Sequence, residues 1–444
     1  MTNMTFSGGI HPKYNKDKTA SLPIDSFNAP AEIIIPLSQH IGAPAIACVA
    51  KGDDVKAGQK IGDSGGFVSA SVHSSVSGTV KAVELRPGQM GVSVISVVIE
   101  NDGKYAVADD LPPIDNWESA DASVIKDKIA QCGIVGMGGA TFPAHVKLSP
   151  PASKPIDTVI LNGAECEPYL TADHRVMVEY PGDIVTGLKI ILKVLGAKKG
   201  IIGIEANKPD AIDAISKVCR GSDIDVAVLD VKYPQGGEKQ LISAVLGREV
   251  ASGGLPMDVG VVVHNTGTAR AVFQAVVLGI PLYERVVTVT GSAVKKPGNY
   301  MIKIGTPVSY VLEQCGVDLK ETGKLILGGP MMGFAQYSDK PPVIKGTSGI
   351  LVLLDKDVNV TDPLPCIRCG RCIEACPMNL VPASLGLFSD RAMFDRAEGA
   401  DAMDCIECGS CSYECPSQIQ LVQKIRLAKS QIMLSRKKAQ GSRP

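Results

Sequence analysis

The sequence predicts a multidomain protein of mixed α/β and α+β class, and three patterns along the chain support that prediction. Residues 36–105 alternate valine, glycine and small polar residues, which is typical of short strands joined by glycine turns. Residues 120–285 repeat a unit of apolar strand, polar loop and amphipathic helix, which indicates a largely parallel sheet covered by helices. A cysteine run with the spacing C-x2-C-x2-C-x3-C-P occurs twice near the C-terminal end. A chain of 444 residues has room for roughly three or four domains.

The composition excludes several kinds of partner and segment. The formal net charge is −1 and aromatic residues make up 4% of the chain, so we expect no nucleic-acid binding through a basic surface or base stacking. The first residues lack the apolar core of a signal peptide. No stretch reaches about eighteen consecutive apolar residues, so we expect no transmembrane segment.

After an N-terminal segment, residues 1–35, the first domain is predicted at residues 36–105. Its GDDVKAGQKI and later SGTV resemble the barrel-sandwich hybrid of biotinyl and lipoyl domains. That family carries its cofactor on a lysine at a hairpin tip, but the tip here, residues 64–75, contains no lysine. We therefore predict an unmodified structural domain, in which His73 is a structural histidine rather than a ligand.

The α/β domain is predicted at residues 120–285, and ligands bind such sheets beyond the carboxyl ends of the strands. The first loop of interest is GIVGMGGATFPAHVKL, where Gly136, Gly138 and Gly139 let the backbone approach a phosphate. It is neither a Walker A loop nor a G-x-G-x-x-G fingerprint, and a simple glycine turn is an equal alternative.

Three further loops follow predicted strands at the same sheet edge. NGAECEPY contains Asn162, Glu165 and Glu167, which suit ribose hydroxyls or a flavin ring but also suit helix capping or a solvated loop. Cys166 between the two glutamates is expected to be buried and inert. YPQGGEKQ contains Gly236 and Glu238. HNTGTAR places Asn265 and Thr266 at a helix start, which favours an anion. The four loops together predict a ligand site more strongly than any one of them.

A small β-grasp-like module is predicted at residues 286–355, from short β patterns around a GSAVKKPG turn. A basic tail, residues 431–444, ends the chain and is expected to be a solvated, fraying end rather than a docking arm for an acidic partner or lipid headgroups.

The cysteine runs CIRCGRCIEACP and CIECGSCSYECP lie in a predicted domain at residues 356–430. Zinc sites usually use two cysteine or histidine pairs separated by a longer loop. In two-cluster ferredoxins the three close cysteines of a run bind one [4Fe–4S] cluster and the fourth binds the other. This predicts one cluster on Cys366, Cys369, Cys372 and Cys415, and a second on Cys405, Cys408, Cys411 and Cys376. Zinc or disulfides remain as the alternative.

The spacer between the two runs, residues 377–404, reads as helical, so the domain is predicted to be a helical two-cluster ferredoxin. Thiolate-bound clusters suit a reducing compartment, which favours a cytoplasmic location.

The four loops resemble those of the NADH-binding flavoprotein subunit of respiratory complex I. GMGGATFP resembles its G-x-G-G-x-G-F-P loop, NGAECEPY its N-x-D-E-x-E-P, YPQGGEK its Y-x-x-G-E-E and HNTGTA its N-N-x-E-T. The β-grasp segment resembles that family's soluble-ligand-binding β-grasp module. From about residue 36 to 430 the chain is similar to the C subunits of Rnf electron-transport complexes. Thr141, Ala164, Gly237 and Gly267 depart from the flavoprotein pattern.

The resemblance implies a Rossmann-like domain that binds FMN and NAD(H). Gly136, Gly138 and Gly139 would cradle the FMN phosphate, Lys147 would neutralise it, and Phe142 would stack near the nicotinamide. The remaining implied pocket residues are Asn162, Glu165, Glu167, Gly236, Glu238, Asn265 and Thr266.

The resemblance further implies a peripheral electron-transfer subunit of a membrane-bound, ion-translocating ferredoxin:NAD+ oxidoreductase, on the cytoplasmic face of the membrane. Its partners would be other subunits of the complex, with reduced ferredoxin as the indirect donor. Hydride chemistry moves two electrons and a cluster moves one, so a flavin belongs between them and no general acid or base is expected. Two alternatives stay open: a cobalamin reductase of bacterial microcompartments, and a non-catalytic relay or scaffold with a degenerate nucleotide pocket.

Overall fold

The computed structural model of the protein describes residues 3–89, 91–358 and 361–441. Seven of the first eight strands form two small sheets, in the orders β2-β8-β7-β4 and β3-β5-β6, while β1 belongs to a sheet farther along the chain. Their bounds are β1 (Ile24–Ser26), β2 (Glu32–Pro36), β3 (Ile46–Ala47), β4 (Asp54–Val55), β5 (Lys60–Asp63), β6 (Val72–His73), β7 (Gly78–Pro87) and β8 (Ser93–Asn101). Ile33, Ile61 and Val97 are fully buried between the two sheets. His73 is buried, and burial with the charge of Lys345 holds its pKa well below the ordinary value, so the ring is neutral.

The α/β domain is a four-stranded parallel sheet with the order β11-β10-β9-β12. A short 3-10 turn, Pro256–Val259, precedes its last strand. Helices α4 and α7 pack closely where Gly187 has no side chain. A Cβ at this position would lie 1.9 Å from the carbonyl oxygen of Ala269. The bounds are α1 (Ala122–Gln131), α2 (Ala144–Lys147), β9 (Thr158–Gly163), α3 (Ala172–Glu179), α4 (Pro181–Leu195), β10 (Lys199–Glu205), α5 (Pro209–Cys219), β11 (Ile224–Leu229), α6 (Glu238–Leu246), β12 (Val261–Asn265) and α7 (Thr266–Val277).

The β-grasp module is a six-stranded mixed sheet with the order β1-β14-β13-β17-β15-β16. Its elements are β13 (Glu284–Thr290), β14 (Gly298–Lys303), α8 (Val308–Gln314), β15 (Thr322–Leu327), β16 (Phe334–Gln336) and β17 (Gly349–Leu354), with 3-10 turns at Leu319–Glu321 and Asp355–Asp357. Strand β1, from the N-terminal segment, pairs parallel with β14 at its edge. The N-terminal segment is therefore part of the fold of a module almost three hundred residues away in sequence.

The last domain contains helices and no strand within its described residues 361–441, as predicted. Its elements are α9 (Arg371–Glu374), α10 (Pro382–Asp390), α11 (Phe394–Gly399), α12 (Ser410–Tyr413) and α13 (Leu421–Gly441), with a 3-10 turn at Ala402–Asp404. The two cysteine runs repeat in structure as well as in sequence. Helices α9 and α12 each follow a glycine in the left-handed region, Gly370 with φ +82° and Gly409 with φ +81°.

Helix α13 continues into the basic tail, where the sequence favours a frayed end. Ile425, Ala428 and Ile432 are buried on the face that packs against α10 and α11. Arg436 forms a hydrogen-bonded ion pair with Glu398, so ordering extends beyond the apolar contacts. The helix ends at Gly441, and the last three tail residues lie outside the described part of the chain. Among the helices of residues 3–89, 91–358 and 361–441, none combines the length and the apolar character that crossing a bilayer requires.

The segment from residue 4 to residue 16, here called the N-terminal strap, crosses from the α/β domain to the ferredoxin domain. Met4 forms a parallel bridge with Leu229 at the end of β11. Ile10 and Tyr233 exchange two backbone hydrogen bonds, and Gly9 N donates to the carbonyl oxygen of Ala375 at 3.1 Å. The strap thus fixes the two domains against each other.

Candidate functional site

The glycine-rich loop lies beside the start of α7, at the carboxyl edge of the parallel sheet. It is closed by a hydrogen bond from Gly136 N to the carbonyl oxygen of Phe142, at 2.8 Å. Met137 N donates to the Thr268 hydroxyl at 2.9 Å, which attaches the loop to α7. Gly138 and Gly139 are exposed, and a Cβ on Gly138 would lie 2.7 Å from Asn265 Nδ2. The bare backbone fits the close approach of a phosphate, and Thr141 takes a left-handed φ of +53°, where the flavoprotein pattern has glycine.

Asn265 joins three elements of this edge. Its Oδ1 accepts from Gly267 N at 2.8 Å and so caps α7, while its Nδ2 donates to Asp173 Oδ2 at 2.6 Å. Thr266 is fully buried, and its hydroxyl has no hydrogen-bond partner within the described part of the chain. Burial, with the nearby charge of Glu165, raises the pKa of Asp173 to about 7.

Asn162 and Cys166 connect the loop after β9 to the loop after β11. Asn162 Nδ2 donates to the carbonyl oxygen of Gly236 at 2.8 Å, and Gly236 N donates to Cys166 Sγ at 3.3 Å. Burial raises the pKa of Cys166 to about 12, so it stays a thiol. This agrees with the prediction of a buried, inert cysteine.

The two glutamates of this loop both bind backbone N–H groups. Glu165 has a φ of +44°, and its carboxylate accepts from Asp173 N at 2.7 Å and His174 N at 3.1 Å, which caps α3. Glu167 accepts from Met331 N at 3.1 Å and Met332 N at 2.7 Å, in the hairpin before β16. Burial raises the pKa of Glu167 to about 7. In this structure Glu167 therefore ties the α/β domain to the β-grasp module.

Lys147 and Glu238 form an ion pair of 2.8 Å, and Lys147 also donates to the carbonyl oxygen of Val263 at 2.9 Å. Phe142 is half-buried at the end of the glycine-rich loop, and Gly236 and Gly237 lie beside Glu238. The structure thus brings the predicted residues of all four loops to one sheet edge.

Two lysines that no sequence pattern singles out donate hydrogen bonds to the backbone of the loop after β9. Lys16 Nζ, from the N-terminal strap, donates to the carbonyl oxygens of Glu165 at 2.5 Å and Leu170 at 2.7 Å. Lys208 is buried; its Nζ donates to the carbonyl oxygen of Ala164 at 2.6 Å and lies 2.9 Å from Glu205 Oε2. No local sequence signal marks either lysine, because their partners are mostly far along the chain.

The β-grasp module supports the glycine-rich loop through two further buried basic side chains. Lys345 Nζ donates to the carbonyl oxygens of Ser71 and Gly133, both at 2.7 Å, and burial lowers the pKa of Lys345 to about 7. Arg285 donates to the carbonyl oxygens of Lys345 at 2.5 Å and Met137 at 3.4 Å. A small cavity lies behind the loop, and its polar lining residues are Asp173, Arg270, Gln274, Glu284 and Arg285.

The predicted inner cluster site is the set Cys376, Cys405, Cys408 and Cys411, and all four line one otherwise apolar cavity. This is the set predicted for the second cluster, with one cysteine from the first run. Leu380 N and Glu407 N each point at a cysteine sulfur, Cys376 and Cys405 respectively, at 3.4 Å. Four thiols with N–H donors around an apolar cavity are the environment that a [4Fe–4S] cluster uses.

The outer cluster site is the set Cys366, Cys369, Cys372 and Cys415. Cys366 and Cys369 are exposed and the other two are half-buried. Leu364 N donates to the carbonyl oxygen of Ser417 at 2.9 Å. The Ser417 hydroxyl in turn donates to the carbonyl oxygen of Pro365 at 3.0 Å. These bonds hold the start of the first run beside Cys415.

Among the described residues no three His, Cys, Asp or Glu side chains are close enough to share a single metal ion. The four inner thiols instead surround a cavity.

The inner cluster site is packed directly against the α/β domain. The Tyr233 hydroxyl donates to the carbonyl oxygen of Cys408 at 2.7 Å, and burial raises the pKa of Tyr233 above its ordinary value. The contact is an apolar cluster of Ile10, Cys166, Tyr233, Ala375 and Cys408, with Met331 against it. The loops after β9 and β11 therefore share one buried interface with a cluster ligand.

Four domain families match successive parts of the chain. They are the RnfC barrel sandwich hybrid domain at residues 4–104, the Nuo51 FMN-binding domain at 129–274, the SLBB domain at 286–335 and the 4Fe-4S dicluster domain at 365–419. These matches confirm the predicted fold class and the predicted cofactors, FMN and two [4Fe–4S] clusters. The individual residues assigned to FMN, to NAD(H) and to each of the two clusters stay predictions.

Similar proteins extend over almost the whole chain. The C subunit of the Na(+)-translocating ferredoxin:NAD(+) oxidoreductase complex of Acetobacterium woodii is 51% identical over 98% of both chains. The C subunit of the proton-translocating ferredoxin:NAD(+) oxidoreductase complex of Clostridium ljungdahlii is 48% identical, over 89% of this chain and 86% of its own. The crystal structure of an NAD+-reducing [NiFe]-hydrogenase in the H2-reduced state aligns with a TM-score of 0.50 and 18% identity, over 74% of this chain and 68% of that one. At this identity the structural likeness concerns the fold alone.

Proposed function

The chain belongs to the family of C subunits of ion-translocating ferredoxin:NAD+ oxidoreductase complexes, and from this membership we propose that it carries electrons between two [4Fe–4S] clusters, FMN and NAD(H). One observation supports the proposal most strongly: Tyr233, in a loop assigned to the flavin, makes a buried contact with Cys408, a cysteine assigned to a cluster.

FMN supplies the exchange between two-electron hydride chemistry and one-electron cluster chemistry. The chain's own residues would bind the flavin and orient it. The exposed backbone of Gly138 and Gly139 is the assigned phosphate cradle, and Lys147 is the cation beside it. Asn162 and Asn265 hold the loops around the flavin through hydrogen bonds to Gly236 and to Asp173. No side chain is assigned as a general acid or base.

The two cluster sites have different positions in the proposed route. Cys376, Cys408 and Cys411 of the inner site are buried at or near the α/β domain, so the inner cluster is assigned next to the flavin. The outer site lies on an exposed segment, where Cys366 and Cys369 are flanked by Ile367, which is 68% exposed. The outer cluster is therefore assigned to exchange electrons with a partner.

The partners in this proposal are the other subunits of a membrane-associated complex, with reduced ferredoxin as the indirect donor. The chain would sit at the cytoplasmic face as a peripheral subunit. The exposed segment around the outer cluster supports a docking role, because Ile367 and Leu364 present apolar side chains to solvent beside Cys366. A partner that covers this segment would bring its own redox centre close to the outer cluster.

An anaerobic NADH titration tests the proposed function. The full-length protein is reconstituted with iron, sulfide and FMN, and the flavin and cluster absorbances are followed. We expect flavin bleaching followed by loss of cluster absorbance. A sample reconstituted without FMN is the control, and NADH should leave its clusters oxidised. If FMN is bound but NADH bleaches neither chromophore, the proposed electron route is wrong.

A further inference from the structure

The loop after β11 reaches the inner cluster site through a single side chain. Tyr233 is fully buried, with 0% exposure, and its hydroxyl donates to the carbonyl oxygen of Cys408 at 2.7 Å. Cys408 is one of the four thiols around the inner cavity. A tyrosine from one domain therefore fixes the backbone of a cluster ligand in another.

The backbone of Tyr233 makes a second connection to the same site. Tyr233 N donates to the carbonyl oxygen of Ile10 at 2.9 Å, and Ile10 N donates back at 2.8 Å. The preceding residue, Gly9, donates to the carbonyl oxygen of Ala375. Gly8, with φ +75°, lies so close to Cys376 that a Cβ there would be 2.7 Å from its carbonyl oxygen. Two of the four inner ligands are thus held through Tyr233 and the N-terminal strap.

The same loop contacts the flavin-binding loops three residues later. Gly236 accepts from Asn162 Nδ2 at 2.8 Å and donates to Cys166 Sγ at 3.3 Å. Cys166 packs in the same apolar cluster as Tyr233 and Cys408. One short loop, residues 233–236, therefore joins the inner cluster ligands to the residues assigned to the flavin.

We propose that Tyr233 is the positioning residue that fixes the inner cluster against the flavin-binding loops, and that its hydroxyl sets how fast an electron passes between them. This inference rests on the proposed function. One electron leaves the flavin and one enters the cluster, while no bond forms or breaks and the tyrosine is neither oxidised nor deprotonated. The hydroxyl donates to the backbone carbonyl of Cys408 and not to a sulfur, so it acts on the cluster through the position of that ligand and through the O–H dipole, whose positive end faces the ligand loop and favours the more negative, reduced cluster.

The test is Tyr233→Phe in the reconstituted full-length protein, since phenylalanine keeps the buried ring and removes only the hydroxyl. Stopped-flow absorbance after NADH addition should show flavin reduction at the wild-type rate and cluster reduction up to about threefold slower, because with the ring retained the rate falls by no more than the equilibrium for electron uptake. A dithionite redox titration followed by EPR should show an inner cluster that takes up its electron about threefold less favourably, which is about 30 mV at 59 mV per tenfold. The outer cluster should be unchanged.

The matched control is Tyr310→Phe, which also removes a hydroxyl bond to a backbone carbonyl, that of Asn28 at 3.0 Å, far from the clusters. Wild-type rate and potential in Tyr233→Phe would overturn the inference. Loss of the inner cluster alone, with the outer one retained, would support the positioning role. If NADH fails to reduce the clusters of the unsubstituted protein, the proposed function fails, but the dithionite titration still tests Tyr233.

Discussion

Lys147 Nζ lies 2.8 Å from Glu238 Oε1, although 91 residues separate the two in the sequence. Lys147 follows the glycine-rich loop and Glu238 opens α6, so the pair joins two loops assigned to the same ligand. Both side chains are about one-third exposed, which leaves the ammonium reachable by a phosphate. The lysine is thus held at the sheet edge before any anion arrives.

Replacing this lysine should weaken FMN binding. We expect Lys147→Met to lower FMN affinity by roughly ten- to a hundredfold, because a charge-assisted hydrogen bond contributes about 1.5–3 kcal/mol. Quenching of flavin fluorescence during titration of the apo protein measures it. Lys154→Met is the control, since Lys154 pairs with Asp258 on the surface and should leave FMN affinity unchanged. Equal affinity in both variants would remove Lys147 from the phosphate site.

The buried ion pair of Lys208 and Glu205 should contribute to stability rather than to redox chemistry. The Glu205 carboxylate is 0% exposed, and Lys208→Met removes its cation. Breaking a buried ion pair in this way lowers the free energy of unfolding by about 3–5 kcal/mol. The measurement is the Tm of the full chain, and adding Glu205→Gln should recover part of the loss. Lys217→Met, which breaks an exposed pair with Asp213, should change stability by at most about 1 kcal/mol. A Tm for Lys208→Met as high as that of Lys217→Met would contradict the account.

The crossed ligand assignment predicts that the fourth cysteine of each run is needed for the cluster of the other run. Cys376→Ala should remove the inner cluster, although Cys376 belongs to the first run, and Cys415→Ala should remove the outer one. Each variant should lose about half of its iron, and the EPR spectrum of the dithionite-reduced protein should show which cluster remains. Cys48→Ala changes an exposed thiol outside both runs and should keep both clusters. If Cys376→Ala leaves the spectrum of the inner cluster intact, the runs bind uncrossed.

Glu167 predicts a pH dependence of stability. Burial raises its pKa from the ordinary 4.5 to about 7 in the folded chain, so the folded state binds the proton more tightly than the unfolded state. The stability from this group is complete below about pH 4.5 and is lost as pH rises toward 7. Relative to Glu167→Gln, the wild type should lose up to about 3 kcal/mol over that window, at 1.36 kcal/mol per pKa unit.

Thermal unfolding of both proteins at pH 5, 6, 7 and 8 measures this difference. The wild-type Tm should fall against that of the glutamine variant as pH rises. A difference in Tm that is constant with pH would show that the Glu167 carboxyl titrates alike in the folded and unfolded chains.

The sequence predicted those parts of the site that depend on local pattern. The doubled cysteine run fixes its own ligand spacing, and strand–loop–helix units place loops such as the one with Asn265 at a common sheet edge. The partners of Lys16, Lys345 and Glu167 could not be predicted. Each of these side chains binds backbone groups more than a hundred residues away, and a backbone carbonyl or N–H carries no signature in the sequence.

The sequence likewise contains no sign that β1 completes the sheet of the β-grasp module. Its pairing with β14 depends on the path of the N-terminal segment across three domains, and three residues are too short for a periodic pattern. The basic tail was expected to fray because chain ends usually do, whereas the buried side chain of Ile432 continues the packed helix past residue 431.

EPR of NADH-reduced protein tests the proposed order of the cofactors, in which the flavin passes electrons to the inner cluster before the outer one. Samples of Cys369→Ala and Cys408→Ala, each reconstituted with FMN, are mixed anaerobically with NADH and frozen. The account predicts a reduced [4Fe–4S] signal in Cys369→Ala, where the inner cluster remains beside the flavin. It predicts none in Cys408→Ala, although dithionite still reduces the outer cluster there. The reverse pattern, with NADH reducing the remaining cluster of Cys408→Ala but not that of Cys369→Ala, would contradict it.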